Sequence, residues 1–288
     1  MNAKGSFTAA ARASRILAGG FILLAGLAAT APASAANVTL TATYSITIHG
    51  VTIGRAEAKA RFTPKGYAAA ISGSTYGISR IVSDARAVLA GAGRIAANGI
   101  SPATYNLQTS EGGFETSVRM AMRGSAVVDL SAMPGLIDAP DRVPLTAAHK
   151  RNVLDPVGAF IVALDHAPGP DDGAAVCNRT VRVFDGWKRF DIRLSYKETK
   201  PVTGNGDSYS GDVIVCAARY LPVAGHRSHD ESVEYMSDNK RLEIAMAPVA
   251  GTRVFVPYRI VIGTRIGDLV VAARRFSTGE GEQQAKAN

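Results

Sequence analysis

The sequence has little cysteine, a single tryptophan and, beyond its first thirty residues, no apolar run of membrane-spanning length. Two cysteines, Cys177 and Cys216, are too few for a disulfide-dense mini-scaffold or a four-cysteine zinc module. No G-x-S-x-G elbow, no phosphate-cradling G-x-x-x-x-G-K-[ST] loop and no dinucleotide fingerprint occurs. These absences remove the serine-hydrolase, P-loop and dinucleotide-binding readings that a chain of this length would otherwise invite. No fixed-period repeat is present either, which excludes solenoids and propellers.

What the N-terminus does contain is a basic start (Lys4, Arg12, Arg15), an apolar segment from Ile16 to Ala29 and the small-residue stretch Pro32-Ala33-Ser34-Ala35-Ala36. This order is that of a secretory signal, with cleavage expected after Ala35. The apolar segment reaches about half to three-quarters of the roughly 20 residues a spanning helix needs, so no transmembrane anchor is expected after cleavage. Losing the signal takes three of the 32 basic residues and none of the 24 acidic ones, leaving a mild net charge of +5. That charge, scattered over alternating positions such as Arg55, Lys59 and Arg61, reads as a wet strand face and not as a nucleic-acid footprint. The organisation expected is a signal over 1–35, one β-rich domain over 36–276 and a disordered polar tail over 277–288. An exported chain meets an oxidising compartment, so Cys177 and Cys216 are expected to pair, closing a loop whose restraint is worth about 4 kcal/mol.

The strongest local signal is the hairpin Val176 to Tyr196, with Asp185-Gly186 as its turn. A two-residue turn places Arg182 opposite Arg189 and Phe184 opposite Trp187. One ribbon face then reads Val181, Val183, Lys188, Phe190, Ile192, Leu194, and is core. The other reads Arg182, Phe184, Trp187, Arg189, Asp191, Arg193. Two opposed arginines are unfavourable unless an anion or Asp191 lies between them. Arg182, Phe184, Trp187, Arg189 and Asp191 are therefore the candidate ligand-binding residues, for an apolar chain with an anionic head.

Upstream, Thr39 to Phe62 reads as a hairpin turning at His49-Gly50, with a bulge expected beside Gly54, where the alternation changes phase. Helical spacing over Ile78 to Leu89 and an Asp-Pro start at Asp155, running to Leu164, predict two helices. Strands follow at Asp212–Tyr220, Val233–Met236, Leu242–Ala247, Arg253–Ile262 and Asp268–Phe276. The fold class expected is mainly β: one large curled or barrel-like antiparallel sheet with one or two short helices.

Catalytic residues do not declare themselves. His226 and His229, three apart and followed by Asp230 and Glu231, are the only ligand-rich cluster, and they carry the alternative of a metal-dependent hydrolase. Pro222 and Gly225 argue against a helix there and no third distant ligand stands out, so no metal and no cofactor are expected. Ser237-Asp238-Asn239-Lys240 holds overlapping S-x-x-K and S-D-N strings, which penicillin-recognising enzymes keep apart, and K-T-G is missing.

The strings D-P-V-G-A-F at Asp155, C-x-x-T-V-R-V-F-D-G-W-K-R-F-D-I at Cys177 and C-A-A-R-Y-x-P-V-A-G-H at Cys216 resemble the exported bacterial family known as domain of unknown function 3108. The opening Y-S-I-T-I-H-G-V-T-I-G-R-A at Tyr44 and N-G-I-S-P-A-T-Y at Asn98 extend the likeness over roughly Tyr44 to Phe276. The resemblance implies a β-rich protein of the periplasm or outer envelope of a Gram-negative bacterium, with no catalytic residues to carry over. The expected role is non-enzymatic: binding a lipid, an anionic amphiphile, a peptide or an envelope protein partner in the curled sheet. A purely structural part in envelope integrity is the remaining alternative.

Overall fold

A computed structural model describes residues 37–77, 83–96, 99–137, 139–206 and 208–280. The signal segment and its cleavage site lie outside them. The chain is organised by one antiparallel sheet of fourteen strands. β1 (Val38–Ile48), β2 (Val51–Thr63), β3 (Gly66–Thr75), β4 (Arg86–Ala96), β5 (Gly99–Glu111), β6 (Phe114–Arg123) and β7 (Ala126–Met133) form a meander. After a long connection the chain restarts at the opposite edge with β9 (Arg179–Phe184), β10 (Arg189–Val202), β11 (Gly211–Ala224), β12 (Leu242–Pro248), β13 (Val254–Thr264) and β14 (Gly267–Glu280). β14 then pairs with β1, so both meanders join at the middle of the sheet, and β7 and β9 are its edges. The two-residue β8 (Val162–Ala163) pairs with β13.

Local chemistry explains the first meander. His49 and Gly50, at φ +46° and +80°, make the β1–β2 turn, and the β1–β2 register shifts between Ile46 and Thr47, with Ile53 as the extra residue beside Gly54. This is the expected bulge. Along β2 the even positions Gly54, Ala60 and Phe62 are buried and Arg55, Glu57 and Lys59 are exposed, as period-2 alternation requires.

The sheet curls because both inner faces are apolar and share one filling. That filling is the β7–β9 connection. Ile161 and Ala163 enter the cluster of Leu40, Phe62 and Val254; Val162 and Leu164 enter that of Val183, Ile214 and Phe255; Val153 and Val157 enter that of Tyr105, Met120 and Phe184. Val153 N donates to Ser125 O at the β6–β7 turn (2.9 Å), while Leu154 N donates to Arg182 O on β9 (2.7 Å). Two consecutive residues thus link the two edges of the sheet.

Several expectations are corrected. The helix expected over Asp155 to Leu164 is a single 3-10 turn, Gly158–Phe160, followed by β8. The run is apolar on all sides, and a buried apolar run satisfies a strand edge as well as a helix. The helix expected over Ile78 to Leu89 falls partly outside the described residues; of its described part, 83–85 are irregular and Arg86 to Leu89 alternate within β4. The strand expected at Val233–Met236 is instead helix α2 (Glu231–Asp238): Asp230 Oδ1 accepts from Ser232 N (3.0 Å) and Val233 N (3.3 Å) and so caps it. The other helix, α1 (Gly173–Cys177), is one turn long. β14 continues through Ser277 to Glu280 against β1, beyond the expected domain end at Phe276. The rest of the tail lies outside the described residues. Cys177 and Cys216 form a disulfide with Cα atoms 5.3 Å apart, tying α1 to β11 inside the second cluster.

Candidate functional site

The hairpin is present, but its register differs from expectation. Asp185 Oδ1 accepts from both Trp187 N (2.8 Å) and Lys188 N (2.7 Å), which winds a four-residue loop where two residues were expected. Pairing therefore shifts by two: Phe184 faces Arg189, Val183 faces Phe190 and Arg182 faces Asp191. An even shift keeps each side chain on its face. It separates the two arginines and puts Asp191 where the anion was required. Arg189 is buried and ion-pairs with Asp191, and its Nη1 also donates to Phe190 O at 2.7 Å. Arg182 is exposed. Phe184 is fully buried, Trp187 packs on the same cluster, and Trp187 Nε1 donates to Pro134 O at 2.8 Å. The structure thus gathers the five residues at one hairpin end, where two aromatics seal the curl and the buried charge is neutralised internally.

His229 is exposed, Asp230 is engaged as the α2 cap, and the backbone of His226 accepts from Val143 N at 2.9 Å. Among the described residues no group of three or more His, Cys, Asp or Glu side chains is placed to share an ion. In the S-x-x-K string, Ser237 Oγ donates to Glu234 O (2.9 Å). Buried Asn239 donates to Gly263 O (2.8 Å) and accepts from Arg241 N (2.9 Å). Both side chains serve local backbone.

Two features escaped the sequence. The first is a buried carboxylate. Asp155 is wholly inaccessible; its Oδ1 accepts from Val157 N (2.9 Å) and Gly158 N (3.0 Å), and its Oδ2 has no hydrogen-bond partner among the described residues. The Tyr67 hydroxyl is also buried and has no partner among the described residues, and the two atoms, Asp155 Oδ2 and Tyr67 Oη, crowd Gly158, lying 2.8 and 3.1 Å from where a Cβ would stand. Burial pushes the Asp155 carboxyl above its usual range, against the pull of the two backbone N–H groups. Burial, and then the charge of Asp155, pushes up the phenols of Tyr67 and Tyr105.

The second is a bowl of about 640 Å³ at one end of the curl. Phe62, Ile95 and Val249 belong to the first core cluster and form its floor, with Pro64 and Pro168 in the wall. Arg253 and His166 stand on the rim. Arg253 donates to Leu164 O and to Ala96 O (3.0 Å), holding its guanidinium across the connection and β4. His166 is clamped between Asp165 (2.7 Å) and Asp172 (2.8 Å). Those bonds, first to Asp172 and then to Asp165, raise its pKa, and the same contact lowers that of Asp165. An apolar floor under a fixed cation accepts an apolar body with an anionic head. The bowl draws on segments near residues 62, 95, 166 and 250, and no short motif contains it.

Comparison with known proteins gives the family. A family model described as "Protein of unknown function (DUF3108)" matches residues 43–274. No curated protein matches the chain. Among solved structures, the crystal structure of a beta-barrel-like protein of domain of unknown function DUF1849 from Brucella abortus is similar at 9% identity and a TM-score of 0.45, covering 86% of this chain and 98% of that one.

Proposed function

The chain belongs to the DUF3108 family of unknown function, and from that premise we propose that it is an exported, non-enzymatic protein of the periplasm that holds an anionic amphiphile at the end of its curled sheet. The observation that carries the reading is the bowl of about 640 Å³, with a floor of Phe62, Ile95 and Val249 and the Arg253 guanidinium fixed at its rim. The apolar tail lies on the floor and the head faces Arg253. The interior elsewhere is filled by the β7–β9 connection, so the ligand sits at an end of the curl and not along its axis.

The test uses the mature chain. Titration with a fatty acid, followed by calorimetry, gives saturable one-to-one binding that Ala250→Trp abolishes, because exposed Ala250 opens on the bowl and an indole there occupies it. Binding unchanged in Ala250→Trp, or no binding at all, overturns the reading. Export is tested separately by mass spectrometry of the periplasmic fraction, which finds an N-terminus at Ala36; an uncut Met1 species confined to the cytoplasm overturns it.

A further inference from the structure

A second concavity, of about 780 Å³, lies on the outer face of β1 to β4, away from the bowl. Its construction is visible in the register. Ser45 pairs with Arg55, Arg55 with Ser74, Ser74 with Arg86 and Arg86 with Ser110, giving a cross-strand row that alternates hydroxyl and guanidinium. Neighbouring strands lie about 4.8 Å apart, so Arg55 and Arg86 flank Ser74 with Cα atoms about 10 Å from each other. A third guanidinium arrives from β14. The β1–β14 register shifts at Thr43/Tyr44, leaving Arg274 as the extra residue, and its Nε donates to Ser45 Oγ at 2.7 Å.

The lining of this groove carries three arginines and one carboxylate, a net positive charge. Arg55 stacks over the Tyr76 ring with 3.5 Å from Cζ to the centroid, and Arg274 is held by buried Ser45, so neutral partners position two of the three guanidinium groups. The single carboxylate in the lining, Glu57, ion-pairs with Lys59 at 3.1 Å. Among the described residues no carboxylate ion-pairs with Arg55, Arg86 or Arg274. A wholly solvated strand face leaves arginines free to disperse; this one holds two of the three beside a hydroxyl-lined hollow, where an anion relieves their mutual repulsion.

We propose that this groove binds a phosphate ester. A phosphate ester presents two terminal acceptor oxygens and one negative charge as a diester, or three oxygens and up to two charges as a monoester, matching guanidinium forks on either side and the Ser74 hydroxyl beneath, and the hollow has room for a glycerol- or sugar-sized body attached to it. The phosphate comes either from a soluble ester or from the headgroup of a membrane lipid; the chemistry recognised is the same.

The experiment titrates the mature chain with glucose 1-phosphate in solution and with vesicles of phosphatidylglycerol, against vesicles of phosphatidylcholine. Arg55→Gln/Arg86→Gln is compared with Arg119→Gln/Arg123→Gln, which removes the same charge from the exposed outer face of β6. The double variant in the groove loses at least tenfold in affinity and the β6 variant less than twofold. Saturable binding of glucose 1-phosphate with that pattern supports the site and identifies a soluble ester; binding to phosphatidylglycerol vesicles alone with that pattern supports it and identifies the lipid headgroup. Binding of neither, or an equal loss in both variants, overturns it. Circular dichroism and an unchanged urea midpoint in the groove variant confirm that it is folded.

Discussion

Gly186 lies against Val118 so closely that a Cβ on Gly186 would stand 2.8 Å from both valine methyl groups. One residue is in the β9–β10 turn near one edge of the sheet, and the other is in β6, next to the opposite edge strand. This approach docks the hairpin end on the first meander and brings Phe184 and Trp187 into the cluster of Tyr105 and Met120. Gly186 also has φ +111°, a conformation costly for any residue with a side chain.

Gly186→Ala therefore destabilises the fold by about 2 kcal/mol, through backbone strain and the clash with Val118 together. Val118→Ala in the same chain relieves only the clash, so urea midpoints of the two single variants and the double variant are non-additive. Additive effects would show that the turn and β6 are not in contact.

Buried Arg189 and half-buried Asp191 form a pair whose value lies in being complete. Asp191→Ala leaves the Arg189 guanidinium in a site with little water and lowers stability by about 3 kcal/mol, whereas Arg189→Met/Asp191→Leu recovers most of that loss. Denaturation of the three chains decides it: a double variant as unstable as Asp191→Ala shows that the pair is not what matters. Trp187, the only tryptophan, reports the same hairpin end without labelling.

The disulfide joins segments separated by 39 residues in the chain. Replacing both cysteines by serine costs about 4 kcal/mol in the chain-entropy picture, since the restraint acts mostly on the unfolded state. Non-reducing peptide mapping of the purified protein recovers Cys177 and Cys216 in one cross-linked fragment. Free labelling of both thiols in the native, unreduced protein is the contrary result.

What was legible in the sequence is what short-range chemistry decides. The inner and outer faces of β2, the turn at His49-Gly50 and the bulge beside Gly54 follow from alternation and from residues that tolerate positive φ. The cysteine pair followed from count and from the compartment expected of a chain with a secretory signal. The hairpin faces came through as well, although Asp185 wound the turn by two more residues than a bare Asp-Gly signal implies. The connection from Asp155 to Leu164 was misread because an apolar run buried on every side carries no period. At α2 the signal was present, in Asp230 as cap with Glu231 and Glu234 in the first turn, but the β-branched and aromatic residues Val233 and Tyr235 pointed the other way. Neither concavity was legible: Arg55, Arg86 and Arg274, like Phe62, Arg253 and His166, are joined only by sheet register and chain return.

Asp155 gives the fold a pH dependence whose sign is fixed by its burial. Its carboxyl is pushed above the unfolded value by desolvation, so the native state binds the proton more tightly than the unfolded chain does. Stability contributed by this group is greatest below the unfolded carboxylate range and falls as pH rises from about 4 through the raised native value. Asp185, also raised by burial, acts with the same sign. Asp155→Asn keeps an oxygen to accept from Val157 and Gly158, removes the buried charge and offers an amide N–H to the unpartnered Tyr67 hydroxyl. It is expected to be as stable as the parent at pH 5 and more stable at pH 8. Asp155→Ala leaves the two backbone N–H groups unsatisfied and is less stable than the parent at pH 5, by about 2 kcal/mol. Urea denaturation of the three chains at both values measures this directly, and an Asn variant that gains nothing on going from pH 5 to pH 8 shows that the carboxylate carries no burial penalty in the folded protein.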